Sequence, residues 1–136
     1  LQEQLLAVSS MSGMLAPQGK LIFLENCVGS YDFQNHLREV LGLKPRIPAA
    51  FNIFVQEKEL IEHAEGIGLK TRIFKNVGIL HDILLYVLLP IIQGDIDYQH
   101  PLVEEAKNLE LNLKNHSESL FGNFGQVNLF VFQKDV

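Results

Sequence analysis

The stretch PQGKLIFLENC, residues 17–27, places a turn before a short apolar run and three polar residues after it. Residues 20–24 have the pattern of a β-strand in which apolar residues do not alternate with polar ones. Such a strand is typical of a parallel sheet that helices cover on both faces. We therefore predict a central strand, with Glu25 and Asn26 at its carboxyl end, where ligands bind in open sheets of this kind.

The rest of the chain predicts helices and strands in alternation, which is typical of an α/β domain. Prolines and glycines mark the ends of these elements, and no linker or repeat divides residues 1–136, so we predict one structural unit. The segment at residues 69–76 has one more polar face, which places it near a sheet edge. The predicted helices are 2–15, 33–41, 56–68, 79–92 and 101–120, and the other predicted strands are 69–76 and 126–133.

Composition excludes some classes of function. The chain has 136 residues, of which 47% are hydrophobic and 20% charged, and its formal net charge is -5. Because the basic residues do not cluster, neither nucleic acid nor an anionic membrane is expected as the main partner. A single cysteine cannot form an internal disulfide, which favours the reducing cytoplasm. The apolar run 79–92 is shorter than the roughly 20 residues that cross a bilayer, so we predict a buried helix there.

The first helix keeps its apolar spacing from the first residue of the chain. Leu1, Leu5, Val8 and Leu15 fall on one helical face, and no capping residue or initiator methionine precedes them. A helix already under way at residue 1 predicts that the chain begins inside a domain.

Three segments carry a resemblance to a known family. LAPQGKLIFLE, residues 15–25, resembles the helix end, turn and fifth strand of class I S-adenosylmethionine-dependent methyltransferases, with Gln18 where that family often has glycine. Residues 51–76 resemble the portion that leads through a helix into the sixth strand. GQVNLFVFQK, residues 125–134, resembles the seventh strand, which in the family runs antiparallel between the fifth and sixth.

The resemblance implies the C-terminal half of a Rossmann-like methyltransferase sheet: three strands, the last antiparallel, with flanking helices and a helical insertion. It implies methyl transfer to a small molecule, and a similarity to enzymes of polysaccharide gene clusters points to a sugar. S-adenosylmethionine would be bound mainly by the absent N-terminal half, which carries the glycine-rich loop and the acidic residue for the ribose. Gly66 and Gly68 precede a strand rather than follow one, so this chain alone is expected to be inactive.

Methyl transfer to a hydroxyl needs a positioned nucleophile and often a base. We expect Glu25 and His81 to be catalytic, with His36 as a further candidate base. The alternative for Glu25 is that it only stabilises the turn after its strand, and the alternative for His81 with Asp82 is a satisfied pair in the core or at a helix start.

Three more side chains are predicted to bind substrate: Asn26, Tyr31 and Asn52. For Asn52 a hydrogen bond that stabilises its loop is the competing interpretation. The five histidines lack metal-ligand spacing, so no metal site is predicted.

A second hypothesis comes from a different class of protein, a non-enzymatic α/β module that associates through an exposed strand edge and apolar helices. Under the first hypothesis too, the strand at residues 20–24 lacks a neighbour on one side, which predicts a homodimer or a second chain segment there. Within the insertion at residues 80–120, Leu84, Leu85, Leu88 and Leu89 are the expected anchors. The methyl-transfer expectation depends on the burial of Ile22 and Leu24.

Overall fold

The computed structural model describes residues 2–136, apart from the side chain of Asn115. Helices and strands alternate as predicted, in a mixed architecture around one three-stranded sheet. In chain order the elements are α1 (Gln2–Met14), β1 (Lys20–Asn26), α2 (Val28–Val40), α3 (Glu57–Gly66), β2 (Leu69–Val77), α4 (Ile79–Ile83), a π-helical segment (Leu84–Leu88), α5 (Leu89–Gln93), α6 (Pro101–Leu113), a 3₁₀ turn (Lys114–His116), α7 (Ser117–Phe121) and β3 (Val127–Lys134).

The sheet has the order β1-β3-β2, and β3 runs antiparallel to both neighbours. The first and second strands therefore point the same way, with the last strand inserted between them, as predicted. The prediction of a parallel sheet around β1 is wrong, because both pairings within the sheet are antiparallel and β1 is an edge strand. A parallel bridge between Cys27 and Val55 lies at the end of the free edge of β1.

Only one face of β1 is covered. Leu21 is buried with residues of α1, α3 and β3, whereas Ile22 and Leu24 are 66% and 64% exposed. On the same face of β2, Ile73 is 44% exposed. The prediction that both faces of β1 are buried is therefore wrong. Because β1 has apolar residues on both faces, the sequence predicted a layer of helices on each face of the sheet. In the structure, α1 and α3 form a layer on one face of β1.

Each helix of the covered face buries one side, and in α1 this is the predicted apolar side. Val8 and Ser12 of α1 are buried, and Leu60 and Ala64 of α3 pack into the same core. β2 lies at the other edge of the sheet, where its more polar face predicted it.

α2 begins at Val28, five residues before its predicted start, and Asp32 is an exposed residue inside it. The first-turn N–H groups are bonded by a distant segment: that of Val28 donates to the Val55 carbonyl, and that of Gly29 donates to Glu57. Because these partners lie almost 30 residues away, the local sequence does not reveal the true start.

Residues 79–93 form one continuous helical run, as predicted, with a π-helical segment in its middle. Pro90 lacks the N–H group that would bond the Tyr86 carbonyl in an α-helix, and the Arg38 guanidinium donates to that carbonyl instead. Of the predicted anchors, Leu84, Leu85 and Leu89 are buried; the prediction for Leu88 is wrong, since 43% of it is exposed.

Among residues 2–136, no helix combines the length and the apolar character that crossing a membrane requires.

Candidate functional site

A cavity of about 700 Å³ opens where β1 and β2 end and β3 begins. This is the sheet edge at which the sequence predicted a site. One wall comes from the strands and the other from the insertion between β2 and β3. The lining includes Leu24, Lys75, Val77, His81, Asp82, Tyr86, Lys107, Glu110, Leu111, Lys114, Gln126 and Val127.

His81 and Asp82 form a hydrogen-bonded pair in this cavity. His81 Nδ1 lies 2.7 Å from Asp82 Oδ1, and the other carboxylate oxygen accepts the main-chain N–H of Gln126 at 2.7 Å. Because a carboxylate can only accept, Nδ1 carries the hydrogen and Nε2 is left as the basic nitrogen. His81 can therefore act as a general base, which is one of the two roles predicted for the pair; the other is a satisfied pair in the core or at a helix start.

The turn at Gly78 explains the position of His81 and Asp82. Gly78 follows β2 directly and has a φ of 71°, a conformation that strongly favours glycine. Its carbonyl accepts the N–H of Asp82 at 2.9 Å, so the first turn of α4 starts at the end of the strand.

Gln126 connects the pair to Asn26 and Arg46. Its side-chain amide donates to Asn26 Oδ1 at 2.9 Å, and its Oε1 accepts from Arg46 Nη1 at 2.8 Å. The Arg46 guanidinium also lies 3.5 Å from the centre of the Tyr86 ring. Asn26 is thus part of the network behind the cavity, and its amide oxygen is already bonded.

A buried polar cluster fixes the two strands beneath the cavity. Asn76 accepts the N–H of Gly125 at 2.8 Å and donates to Asn128 at 3.1 Å, while Asn128 donates to Ser30 at 2.9 Å. A Cβ atom on Gly125 would collide with the Val77 carbonyl, so glycine is required there. The cluster sets the position of Gln126 one residue later.

Glu110 closes the amino end of α4. Its two carboxylate oxygens accept the N–H groups of Ile79 at 2.9 Å and Leu80 at 3.0 Å. These are donors that a helix leaves unbonded at its start, so Glu110 stabilises the insertion against the sheet end.

Glu25 does not line the cavity with His81. Successive side chains of a strand point to opposite faces, and its neighbours Leu24 and Asn26 are the residues on the cavity side. Burial raises the pKa of the half-buried Glu25 carboxyl. Next to it, burial raises the pKa of the Cys27 thiol to about 12, and that thiol is inaccessible to solvent.

The other predicted site residues lie elsewhere. Tyr31 donates from its hydroxyl to the Arg46 carbonyl and packs on Phe54 with ring centres 4.6 Å apart. Asn52 is exposed in the segment that connects α2 to α3. His36 is exposed on α2, and its Nδ1 lies 4.0 Å from a carboxylate oxygen of Glu39. The structure does not bring these three side chains to the cavity.

Sequence reasoning missed Gln126, Arg46 and Glu110. A polar residue at the first position of a predicted strand was a usable signal for Gln126, whereas the other two act through contacts across the fold. Within the part of the chain that the structure describes, no three histidine, cysteine or acidic side chains group closely enough to hold a metal ion.

No protein-family model matches this chain, and a search of curated proteins finds no match either. The role of the site is therefore inferred from its geometry.

Proposed function

We propose that the chain is the C-terminal, substrate-facing half of a class I S-adenosylmethionine-dependent methyltransferase acting on a small molecule. The strand order β1-β3-β2, with its antiparallel last strand between two strands that run the same way, is the observation that carries this proposal. The cavity at the carboxyl ends of β1 and β2 adds support, since ligands of open α/β sheets bind at that edge.

The exposure of Ile22 and Leu24 removes the argument from burial on which the sequence expectation depended. The proposal now requires that further polypeptide cover this apolar face and pair with the free edge of β1. An uncovered face of this kind is a recognised site of association.

The residues described do not fit the cofactor. The strand–glycine–helix junction at Gly78 is the nearest equivalent of a cofactor-binding turn, but its helix N–H groups are bonded to Glu110. The proposal therefore places the cofactor on preceding polypeptide that carries a strand followed by Gly-x-Gly.

Within the chain, His81 is the proposed catalytic base. A neutral imidazole held through Nδ1 by Asp82 can take a proton on Nε2 from a hydroxyl or amine bound in the cavity. Asp82 would then orient the ring and stabilise the imidazolium that forms. Gln126 holds Asp82 in place through its main-chain N–H. Glu25 is a weaker candidate for this role, because it does not line the cavity.

The second candidate is a non-enzymatic module that assembles through β1, and the exposed apolar residues of that strand favour it. The two proposals differ in cofactor binding. Calorimetric titration of the full-length protein with S-adenosylhomocysteine should show binding if the chain belongs to a methyltransferase and none if it is an assembly module.

A further inference from the structure

We propose that the cavity binds a small molecule with an apolar body and one anionic group. This inference rests on the proposed function and deepens it, because it names the chemical class of the methyl acceptor. It differs from the sugar that the sequence resemblance suggests.

The walls of the cavity are mainly apolar. Leu24, Val77 and Val127 line the strand side, and Leu111 lines the helix side. Leu24 and Leu111 remain 64% and 74% exposed, so a ligand with an apolar body would remove this surface from water. The volume of about 700 Å³ lies within the roughly 300–1,000 Å³ of small-molecule sites.

The carboxylates of the lining are already bonded by the protein itself. Asp82 accepts from His81 and Gln126, and Glu110 accepts from two main-chain N–H groups of α4. A sugar would need such acceptors for its hydroxyl groups. The lining offers it few that are unoccupied.

The lysines give the cavity a positive rim. Lys107 and Lys114 line it from α6 and the 3₁₀ turn, and Lys75 adds a third positive charge from β2. Lys107 is half-exposed, and its Nζ lies 3.4 Å from a carboxylate oxygen of Glu104. Because an exposed ion pair contributes little free energy, a ligand anion can replace Glu104 at low cost. Over residues 2–136, Lys114 has no carboxylate within ion-pair distance.

These features place the two ends of a bound molecule. Its carboxylate or phosphate would lie by Lys107 and Lys114, with the apolar body against the strands. Since His81 lines the same cavity from α4, the hydroxyl or amine to be methylated would lie beside its imidazole ring.

The test is an NMR titration of the full-length protein with 4-phenylbutyrate, 4-phenylbutyl phosphate, 4-phenylbutanol and methyl glucoside. We expect at least one anion to bind about tenfold more tightly than the alcohol, because charge-assisted hydrogen bonds reach only the anions. The shifted amides should lie at residues 77–82 and 126. Comparison of the two anions decides between a carboxylate and a phosphate.

Variants make the test specific to the rim. Lys107→Gln combined with Lys114→Gln should weaken anion binding about tenfold and leave the alcohol unaffected. Lys58→Gln is the matched control, because Lys58 is an exposed lysine on α3 that pairs with Glu62.

Three results would overturn the proposal: no binding of either anion, equal affinity for the alcohol, or tighter binding of the glucoside. The measurement does not involve the methyl donor. Anion binding without any binding of S-adenosylhomocysteine would therefore refute methyl transfer and leave the proposed ligand class intact. Binding of S-adenosylhomocysteine without binding of either anion would refute the ligand class and leave methyl transfer intact.

Discussion

Asp82 is a buried carboxylate that joins the insertion to the sheet, because its two oxygens accept from His81 and from the main chain at Gln126. Its neighbour His81 is only partly buried and faces the cavity. A single acidic residue therefore fixes both the base and the turn that leads into β3.

We expect Asp82→Asn to lower the free energy of unfolding by about 1–3 kcal/mol, because an amide group replaces one of two buried acceptors. Urea denaturation followed by circular dichroism measures the loss. Asp97→Asn is the control, since Asp97 is only partly buried and its side chain accepts the N–H of Gln99 in a solvent-exposed hydrogen bond, so its effect should stay within about 0.5 kcal/mol. Equal stability of the two variants would show that the network around Asp82 is not structural.

At the scale of elements, the helical run 79–93 depends on a partner outside itself. The Arg38 guanidinium donates to the Tyr86 carbonyl and also to the Lys44 carbonyl at 2.8 and 3.0 Å. It thereby connects α2, the π-helical segment and the chain after α2 that contains Pro45 and Pro48.

Arg38→Met should destabilise the protein by about 2–4 kcal/mol, because it leaves two carbonyls without their charged donor. Pro90→Ala in the same background should recover part of that loss, since the new residue supplies an N–H group for the Tyr86 carbonyl. Thermal or urea denaturation of the two single variants and the double variant measures the coupling. Additive effects in the double variant would contradict this account of the π-helical turn.

The position of β3 could be predicted from the sequence, whereas the position of β1 could not. The alternation of Val127, Leu129 and Val131 indicated a strand, and the resemblance of this segment to the family's seventh strand implied its place between the other two. For β1, residue type showed that Ile22 and Leu24 are apolar but not whether this chain covers them. Only the folded structure shows that α1 and α3 lie on the same side.

The free edge of β1 predicts association of the 136-residue chain. Ile22 is apolar and 66% exposed, and among residues 2–136 no strand pairs with the main chain on its outer side. Light scattering should find a dimer, and Ile22→Lys should convert it to a monomer. Val40→Lys, at an equally exposed apolar residue of α2, should leave the dimer intact. A monomeric wild-type chain would count against association through this edge.

At the scale of the whole molecule, the sequence located the sheet edge that carries the cavity but only part of the site. It named Asn26 because polar residues follow an apolar strand, and His81 with Asp82 because they interrupt an apolar helix. It misplaced Glu25, since strand alternation puts neighbouring side chains on opposite faces. The partners that complete the site depend on contacts between segments far apart in the chain, and no local pattern encodes them.

Binding of the methyl donor's product tests the central claim most directly. Isothermal titration of the full-length protein with S-adenosylhomocysteine should give saturable binding at one site per chain, with S-adenosylmethionine competing for it. Adenosine and methionine added separately serve as controls for binding of either part alone. If the chain belongs to a methyltransferase, the intact nucleoside thioether binds saturably, and the absence of any heat of binding from the folded full-length protein would exclude that assignment.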